Sequence, residues 1–209
     1  MFIDRNDAAQ QLIKHMHHLK NQPNIIVLAI PRGGLAIGSV VAQALGAPLD
    51  IILAKKIGAP YNQELAIGAV TQHFFFVDPP YKTSDFEQKA HAIQKALKTR
   101  ELLYRQGTPA PSLTHKTVII VDDGIATGQT MYAALQEIKK QQPGQVIIAT
   151  PVISLQANEL LEKEDDEIIS VLAPADLSSI GAYYQQFEQV SDEEAANISK
   201  RSKQAKTGN

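Results

Sequence analysis

Long apolar segments that alternate with helix-like segments are the feature that most restricts the fold of this 209-residue chain. "NIIVLAI" (24–30), "LDIILA" (49–54), Thr117–Val121, Val146–Thr150 and Ile168–Leu172 consist almost entirely of apolar residues. Strands of this composition are buried on both faces, as in parallel sheets whose strands are connected by helices. We therefore predict an α/β fold in which helices cover both faces of a parallel sheet.

The segments between these strands have helical periodicity or turn composition. Helices are expected over 35–45, 84–105, 130–140 and 155–163, after an amphipathic helix that follows Asp4. Two apolar segments, "AIGAV" (66–70) and "HFFFV" (73–77), predict a short hairpin-like excursion from the main alternation. The polar segment 201–209 is expected to be a frayed tail.

Composition indicates one globular domain, 1–209, with 44% hydrophobic and 20% charged residues. A net charge of −2 provides no general attraction for DNA or for an anionic membrane, so neither is an expected partner. The absence of cysteine excludes disulfides, thiolate catalysis and cysteine-ligated zinc. No signal peptide or membrane-length apolar segment is recognisable, and a cytoplasmic location is expected.

Charged and glycine-rich residues follow three of the predicted strands. They are Pro31-Arg32-Gly33-Gly34, Lys55-Lys56 and Asp122-Asp123. Each alone could be a tight turn or a solvated charge at a strand end. Ligands of open parallel sheets bind beyond the carboxyl ends of the strands, so the three together favour an anion site at that edge.

The loop 122–130 in "VIIVDDGIATGQT" carries the most specific signal. Gly124 and Gly128 allow the backbone N–H groups to face inward, a helix begins near Thr130, and Thr127 adds a hydroxyl. The loop has no lysine, which excludes a Walker A motif, and "GGLAIG" lacks the second glycine of the Rossmann fingerprint. Because carboxylates repel phosphate but accept hydrogen bonds from vicinal hydroxyls, the adjacent Asp122 and Asp123 indicate a sugar 5-phosphate.

"VIIVDDGIATGQT" resembles the phosphoribosyl pyrophosphate (PRPP) motif of the type I phosphoribosyltransferases. "FIDRNDAA", "IPRGG", "ALGAPLDIILAKKIGAP", "ELAIGAV", "RELLYRQG" and "QVSDEE" are similar to a bacterial group within that family, so the resemblance covers nearly the whole chain. The chain departs from the group's pattern at Leu177, Tyr183-Tyr184 and Gln186.

The resemblance implies a role for each candidate residue. The 5-phosphate would be bound by Gly124, Ile125, Ala126, Thr127, Gly128, Gln129 and Thr130. Pyrophosphate would be bound by Arg32, Gly33, Gly34, Lys55 and Lys56, and the catalytic residues would be Asp122, Asp123, Arg32 and Lys56. Mg²⁺ is expected to be held mainly by PRPP and water rather than by a dedicated set of protein ligands.

The resemblance also implies an architecture. A core of about 24–172 would carry a hood built from 1–23 and 173–200, and the protein would be a homodimer. A mobile segment from the 57–64 loop to the linker around 100–110 would close over the site, with Arg100 and Arg105 as its candidate basic residues.

Two classes of function follow. The first is a Mg²⁺-dependent phosphoribosyltransferase that transfers ribose 5-phosphate from PRPP to a nitrogenous acceptor, in nucleotide salvage or a related pathway. The second is a PRPP- or nucleotide-sensing regulator with the same fold and little or no turnover. The basic residues expected at the pyrophosphate end favour the enzyme, whereas a basic face that binds RNA is left open.

Overall fold

The computed structural model describes residues 1–59, 61–164 and 166–207, without the side chains of 63, 64 and 205–207. The strands are β1 (Ile25–Ala29), β2 (Leu49–Ile51), β3 (Ala54–Ala59), β4 (Asn62–Thr71), β5 (Phe75–Val77), β6 (Thr117–Val121), β7 (Gln145–Val152) and β8 (Glu167–Leu172). The helices are α1 (Arg5–Ile13), α2 (Gly33–Leu45), α3 (Ser84–Arg105), α4 (Gln129–Lys139), α5 (Leu155–Glu162) and α6 (Asp192–Thr207).

Five strands form a parallel sheet in the order β2-β1-β6-β7-β8, which confirms the predicted α/β fold. Alternate residues of β1 face opposite sides of this sheet. Val27 and Ala29 pack in the hydrophobic cluster that includes α1 and α2, and Ile26 and Leu28 pack in the cluster that includes α4 and α5. Full burial of each such branched side chain stabilises the fold by about 1.5–3 kcal/mol, which explains why these strands have no polar face.

The sequence predicts one strand over "LDIILA" (49–54), but the structure divides this segment between two strands. β2 ends at Ile51, and Ala54 begins β3 of a separate antiparallel sheet with the order β3-β4-β5. Ile52 and Leu53 stay buried where the chain passes from one sheet to the other, so hydrophobicity alone does not reveal the break. Lys55 and Lys56 consequently lie on β3, and not at the end of a parallel strand.

The predicted helices are observed with small changes at their ends. Helix α3 has the predicted bounds because Thr83 accepts a hydrogen bond from the N–H of Phe86 and Gln106 ends the helix in the left-handed conformation. Helix α2 begins at Gly33, two residues earlier than the predicted Leu35. None of the described helices has both the length and the hydrophobicity needed to cross a membrane.

The two ends of the chain meet beside the carboxyl end of β6. The N–H of Phe2 donates to the carbonyl of Tyr183 at 2.7 Å, and the N–H of Gln185 donates to the carbonyl of Phe2 at 2.9 Å. The segment expected to be a frayed tail is helical as far as residue 207, since α6 continues to Thr207 and Lys203 Nζ donates to the carbonyl of Arg105. Residues 208 and 209 of that segment lie outside the described residues.

Candidate functional site

The loop 122–130 connects β6 to α4, and hydrogen bonds to the residues at the end of β7 hold it in place. The N–H of Ile125 donates to the carbonyl of Val152, and the N–H of Ser154 donates to the carbonyl of Ile125, both at 2.9 Å. Gly128 has φ +76° and directly precedes the first residue of α4, Gln129. The first-turn N–H groups of a helix have no partner within the helix, so this loop presents donors and the positive end of α4 to a ligand.

A cavity of ≈190 Å³ lies over this loop. Its lining residues are Lys56, Asp122, Gly124, Ile125, Ala126, Thr127, Gly128, Thr130, Met131 and Ile180. The cavity thus contains all of the predicted 5-phosphate ligands except Gln129, whose buried Oε1 has no hydrogen-bond partner among the described residues. Because a Cβ on Gly124 would lie 2.4 Å from Cγ2 of Ile180, this glycine allows the C-terminal segment to approach the loop.

The structure separates the two lysines that the sequence places together. Successive side chains of a strand point to opposite faces, and on β3 it is Lys56 that lines the cavity while Lys55 is exposed. The structure therefore places Lys56 at the cavity and Lys55 away from it, and contact with the ligand stays a prediction for both.

The loop after β1 lies directly against the acidic pair. The peptide bond between Pro31 and Arg32 is cis. A Cβ on Gly33 would lie 1.8 Å from Oδ2 of Asp123, and a Cβ on Gly34 would lie 2.7 Å from the carbonyl oxygen of Val121. Glycine at both positions is thus needed for the two loops to be in contact, and the residues predicted to bind pyrophosphate and ribose lie next to each other.

Asp123 is held by an arginine to which the sequence patterns assigned no role. Nε and Nη2 of Arg5 both lie 2.8 Å from Oδ2 of Asp123, and Nη1 donates to the carbonyl of Glu188 at 2.7 Å. The guanidinium carbon lies 4.0 Å from the centre of the Phe187 ring. The hydroxyl of Tyr184 donates to the carbonyl of Asp123 at 2.6 Å, so the N-terminal helix and the C-terminal segment together fix this residue.

Asp122 has different surroundings from Asp123. Its Oδ1 accepts from the N–H of Asp123 at 2.8 Å, and its side chain lines the cavity. Burial, followed by the charge of Asp123, raises the pKa of Asp122 well above the usual carboxyl value. Only one of the two carboxylates therefore faces the cavity, and the other is neutralised by Arg5.

Arg32 and Arg100 lie on either side of Asp192, the first residue of α6. Nη1 of Arg32 lies 3.8 Å from Oδ1 of Asp192, and Nη2 of Arg100 lies 4.0 Å from its Oδ2. Arg100 belongs to α3, so it reaches Asp192 from a regular helix and not from a linker.

Arg105 occupies a different place. Its guanidinium contacts the buried Asp50 at 3.1 Å and also binds Glu101 and the carbonyl of Ile51. These partners stabilise the C-terminal end of α3 against β2, and none of them lines the cavity over the 122–130 loop. The structure thus places Arg105 away from this cavity, and its role as a basic residue of a mobile segment stays a prediction. Residue 60 of the expected closing segment lies outside the described residues.

The site residues that sequence reasoning missed come from the two ends of the chain. Arg5 lies within "FIDRNDAA" and Asp192 within "QVSDEE", two segments that carried the resemblance without an assigned role. Arg5 contacts Asp123 and Asp192 contacts Arg32, and each pair is far apart in sequence, so no local pattern indicates these contacts. The signal that could have pointed to Arg5 and Asp192 is that they are charged residues within segments that carried the resemblance.

Comparison with known proteins identifies the family. A family model described as phosphoribosyl transferase domain matches residues 1–186. Over 201 residues, 93% of this chain, the sequence is 33% identical to a Mycobacterium tuberculosis protein provisionally named as a phosphoribosyl transferase. The chain spans 45% of the length of that relative.

Solved structures share the same fold. The Thermus thermophilus protein TT1426 is 36% identical, with a TM-score of 0.80 and coverage of 94% of this chain and 96% of that one. A Neisseria gonorrhoeae protein solved with bound ppGpp shares the fold, with a TM-score of 0.52, 12% identity and coverage of 96% and 98%. The chain described here belongs to the phosphoribosyl transferase family.

Proposed function

We propose that this protein is a Mg²⁺-dependent transferase that moves ribose 5-phosphate from PRPP to a nitrogenous acceptor and releases pyrophosphate. The observation that carries the proposal is the contact between three groups at one edge of the sheet. The phosphate-type loop, the carboxylate of Asp122 and the loop of Arg32 and Gly33 lie together, with Lys56 on the facing strand. These groups match, in order, the phosphate, the sugar and the diphosphate of PRPP.

Each part of PRPP has a partner of suitable chemistry. The 5-phosphate would accept hydrogen bonds from the N–H groups at the start of α4 and from the hydroxyls of Thr127 and Thr130. Asp122 would accept hydrogen bonds from the ribose hydroxyls. The diphosphate would lie against Arg32, Gly33 and Gly34, where the glycines allow a close approach of the backbone.

The transfer breaks the bond between C1 of the ribose and the pyrophosphate oxygen and forms a bond between C1 and the acceptor nitrogen. Pyrophosphate leaves with the electron pair, so negative charge grows on it while positive charge grows on the ring. Arg32 and Lys56 would stabilise the first, and the carboxylate of Asp122 would stabilise the second. An acceptor nitrogen that carries a proton would lose it in the same reaction.

The residues at the site are compatible with Mg²⁺ that is bound chiefly through the substrate. Among the described residues there is no group of three or more His, Asp and Glu side chains that could hold a metal ion, and Asp123 is already paired with Arg5. Asp122 is the carboxylate that could contribute to such an ion from the cavity side. When bound, Mg²⁺ would neutralise charge on the diphosphate of PRPP.

Several parts of the proposal concern the whole protein. We propose a cytoplasmic homodimer that acts in nucleotide salvage or a related pathway, with a hood from 1–23 and 173–200 that selects the acceptor. The contacts of Phe2 with Tyr183 and of Arg5 with Glu188 support such a hood, because they join the two terminal segments beside Asp123.

A second candidate is a sensor of PRPP or of a related nucleotide. It is supported by the ion pair of Arg5 with Asp123, which occupies one of the two carboxylates expected to serve the sugar. The Neisseria gonorrhoeae neighbour was solved with ppGpp, a nucleotide that also carries a diphosphate. A sensor would bind PRPP at the same loops without releasing pyrophosphate.

Pyrophosphate release from Mg²⁺–PRPP distinguishes these candidates. The assay would use a panel of purines, pyrimidines and small nitrogenous acids, a reaction without acceptor, and the Asp122→Asn variant as the inactive control. Release that depends on one acceptor and is lost in the variant would support the transferase and identify its substrate. PRPP binding without acceptor-dependent release would contradict the transferase and favour the sensor.

A further inference from the structure

The C-terminal segment 187–207 lies beyond the residues that match the family model, 1–186, yet it contacts the site. Phe187 and Glu188 hold Arg5, and Asp192 lies between Arg32 and Arg100. The family match therefore assigns no role to Asp192, although its carboxylate is beside the loop that is expected to bind pyrophosphate.

Asp192 is held in place by a buried tyrosine. The hydroxyl of Tyr104 donates to Oδ1 of Asp192 at 2.5 Å, and the side chain of Tyr104 is only 1% exposed. Burial, together with this hydrogen bond, raises the pKa of Tyr104 to about 12, so the hydroxyl keeps its proton at neutral pH. Because Tyr104 lies on α3 and packs in the hydrophobic core of the protein, its hydrogen bond fixes the carboxylate of Asp192 relative to that helix.

The two arginines beside Asp192 come from different parts of the chain. Arg32 lies in the loop after β1, and Arg100 lies on α3. Two guanidinium groups this close to one carboxylate would repel each other without it, since each carries a full positive charge. At 3.8 and 4.0 Å the contacts to Asp192 are longer than hydrogen bonds, so the carboxylate attracts both arginines without the short bonds that Arg5 makes to Asp123.

We propose that Asp192 is a positioning residue that holds Arg32 and Arg100 together as a pair to receive the pyrophosphate group of PRPP. The inference rests on the proposed function, because it assigns the pyrophosphate end of the same site. Arg100, which lies on α3, is then the second arginine, after Arg32, that would bind the pyrophosphate group. An incoming diphosphate carries several negative charges and would bind both guanidinium groups. When no diphosphate is bound, Asp192 keeps the two guanidinium groups from separating.

The test compares two ligands that occupy different halves of the site. Isothermal titration would measure the affinity of Mg²⁺–pyrophosphate and, separately, of ribose 5-phosphate for the wild type and for Asp192→Asn. Asparagine keeps the size of the side chain and can still accept from Tyr104, so the variant removes chiefly the charge. Glu193→Gln removes the same charge from the next residue, which is exposed, and is the matched control.

We expect Asp192→Asn to bind pyrophosphate about tenfold more weakly, the effect of losing about 1.4 kcal/mol of interaction. Its affinity for ribose 5-phosphate should stay within about twofold of the wild type, as should both affinities of Glu193→Gln. Arg100→Gln should weaken pyrophosphate binding in the same direction as Asp192→Asn.

Two results would overturn the inference while leaving the proposed function intact. One is unchanged or tighter pyrophosphate binding by Asp192→Asn, which would show that the carboxylate competes with the ligand or has no part in binding it. The other is an equal loss of affinity for both ligands, which would show a general structural role. A wild-type protein that binds neither ligand would instead refute the proposed function, and the inference with it.

Discussion

Replacing Gly33 with alanine tests whether the close contact between the two loops organises the site. The added Cβ would lie 1.8 Å from Oδ2 of Asp123, whereas real Cβ contacts are essentially never shorter than 3.0 Å. The carboxylate or the loop must therefore move by about 1.2 Å or more. Because Oδ2 of Asp123 also lies 2.8 Å from two nitrogens of Arg5, such a movement must disturb that ion pair.

Two opposing contributions determine the effect of Gly33→Ala on stability. Alanine is favoured over glycine by up to about 1 kcal/mol in the interior of a helix, and Gly33, as the first residue of α2, would gain only part of this. Overpacking at a tight contact costs about 1–3 kcal/mol. We therefore expect a net destabilisation of about 1 kcal/mol in chemical denaturation.

The effect of Gly33→Ala on the reaction should be larger. A misplacement of about 1 Å in a catalytic site can reduce the rate by about 100-fold, and we expect a loss of that order in pyrophosphate release from PRPP. Gly46→Ala is the matched control, because Gly46 has φ +66° and a Cβ added there would have nothing within 4 Å. The control should lose about 1 kcal/mol of stability through its backbone conformation and keep its activity. Activity of Gly33→Ala within about threefold of the wild type would show that the close contact of the two loops does not organise the site.

The other predictions concern individual charges. The raised pKa of Asp122 means that the protonated side chain stabilises the folded state at low pH and that this stability is lost as pH rises through that pKa. Asp122→Asn, which cannot ionise, should therefore melt at a higher temperature than the wild type near pH 8 but not near pH 4. Arg5→Gln should cost about 2 kcal/mol in chemical denaturation, since it leaves Asp122 and Asp123 side by side without their cation. Lys56→Met should weaken PRPP binding about tenfold in isothermal titration, whereas Lys55→Met should change it by less than about twofold.

Sequence periodicity predicted the parallel sheet because its cause is local. A strand buried on both faces, such as Thr117–Val121, needs an apolar residue at every position, and this pattern is visible in the sequence. The break after Ile51 was not predictable in the same way, because the residues on both sides of it are buried in different sheets. The helical state of 201–207 depends on contacts such as that of Lys203 with Arg105, which are 98 residues apart in the chain.

The candidate site was predictable to the extent that it lies in short segments. The 122–130 loop and the loop of Arg32 could be identified from glycine positions and charge, and the structure brings them into contact. The different roles of Asp122 and Asp123 could not, because they depend on Arg5, which is 118 residues away from Asp123. Likewise, Lys56 and Lys55 point to opposite faces of β3, and this could be predicted only if the position of that strand were known.

Phosphorus NMR of Mg²⁺–PRPP titrated with the protein is the first measurement of PRPP binding to make, because the 5-phosphate and the diphosphate of PRPP give separate signals. We expect all of these signals to shift on binding and excess ribose 5-phosphate to reverse the shifts. In the Lys56→Met variant, a higher protein concentration should be needed to produce the same shifts. Signals that stay unchanged at high protein concentration would contradict the assignment of this sheet edge as a PRPP site.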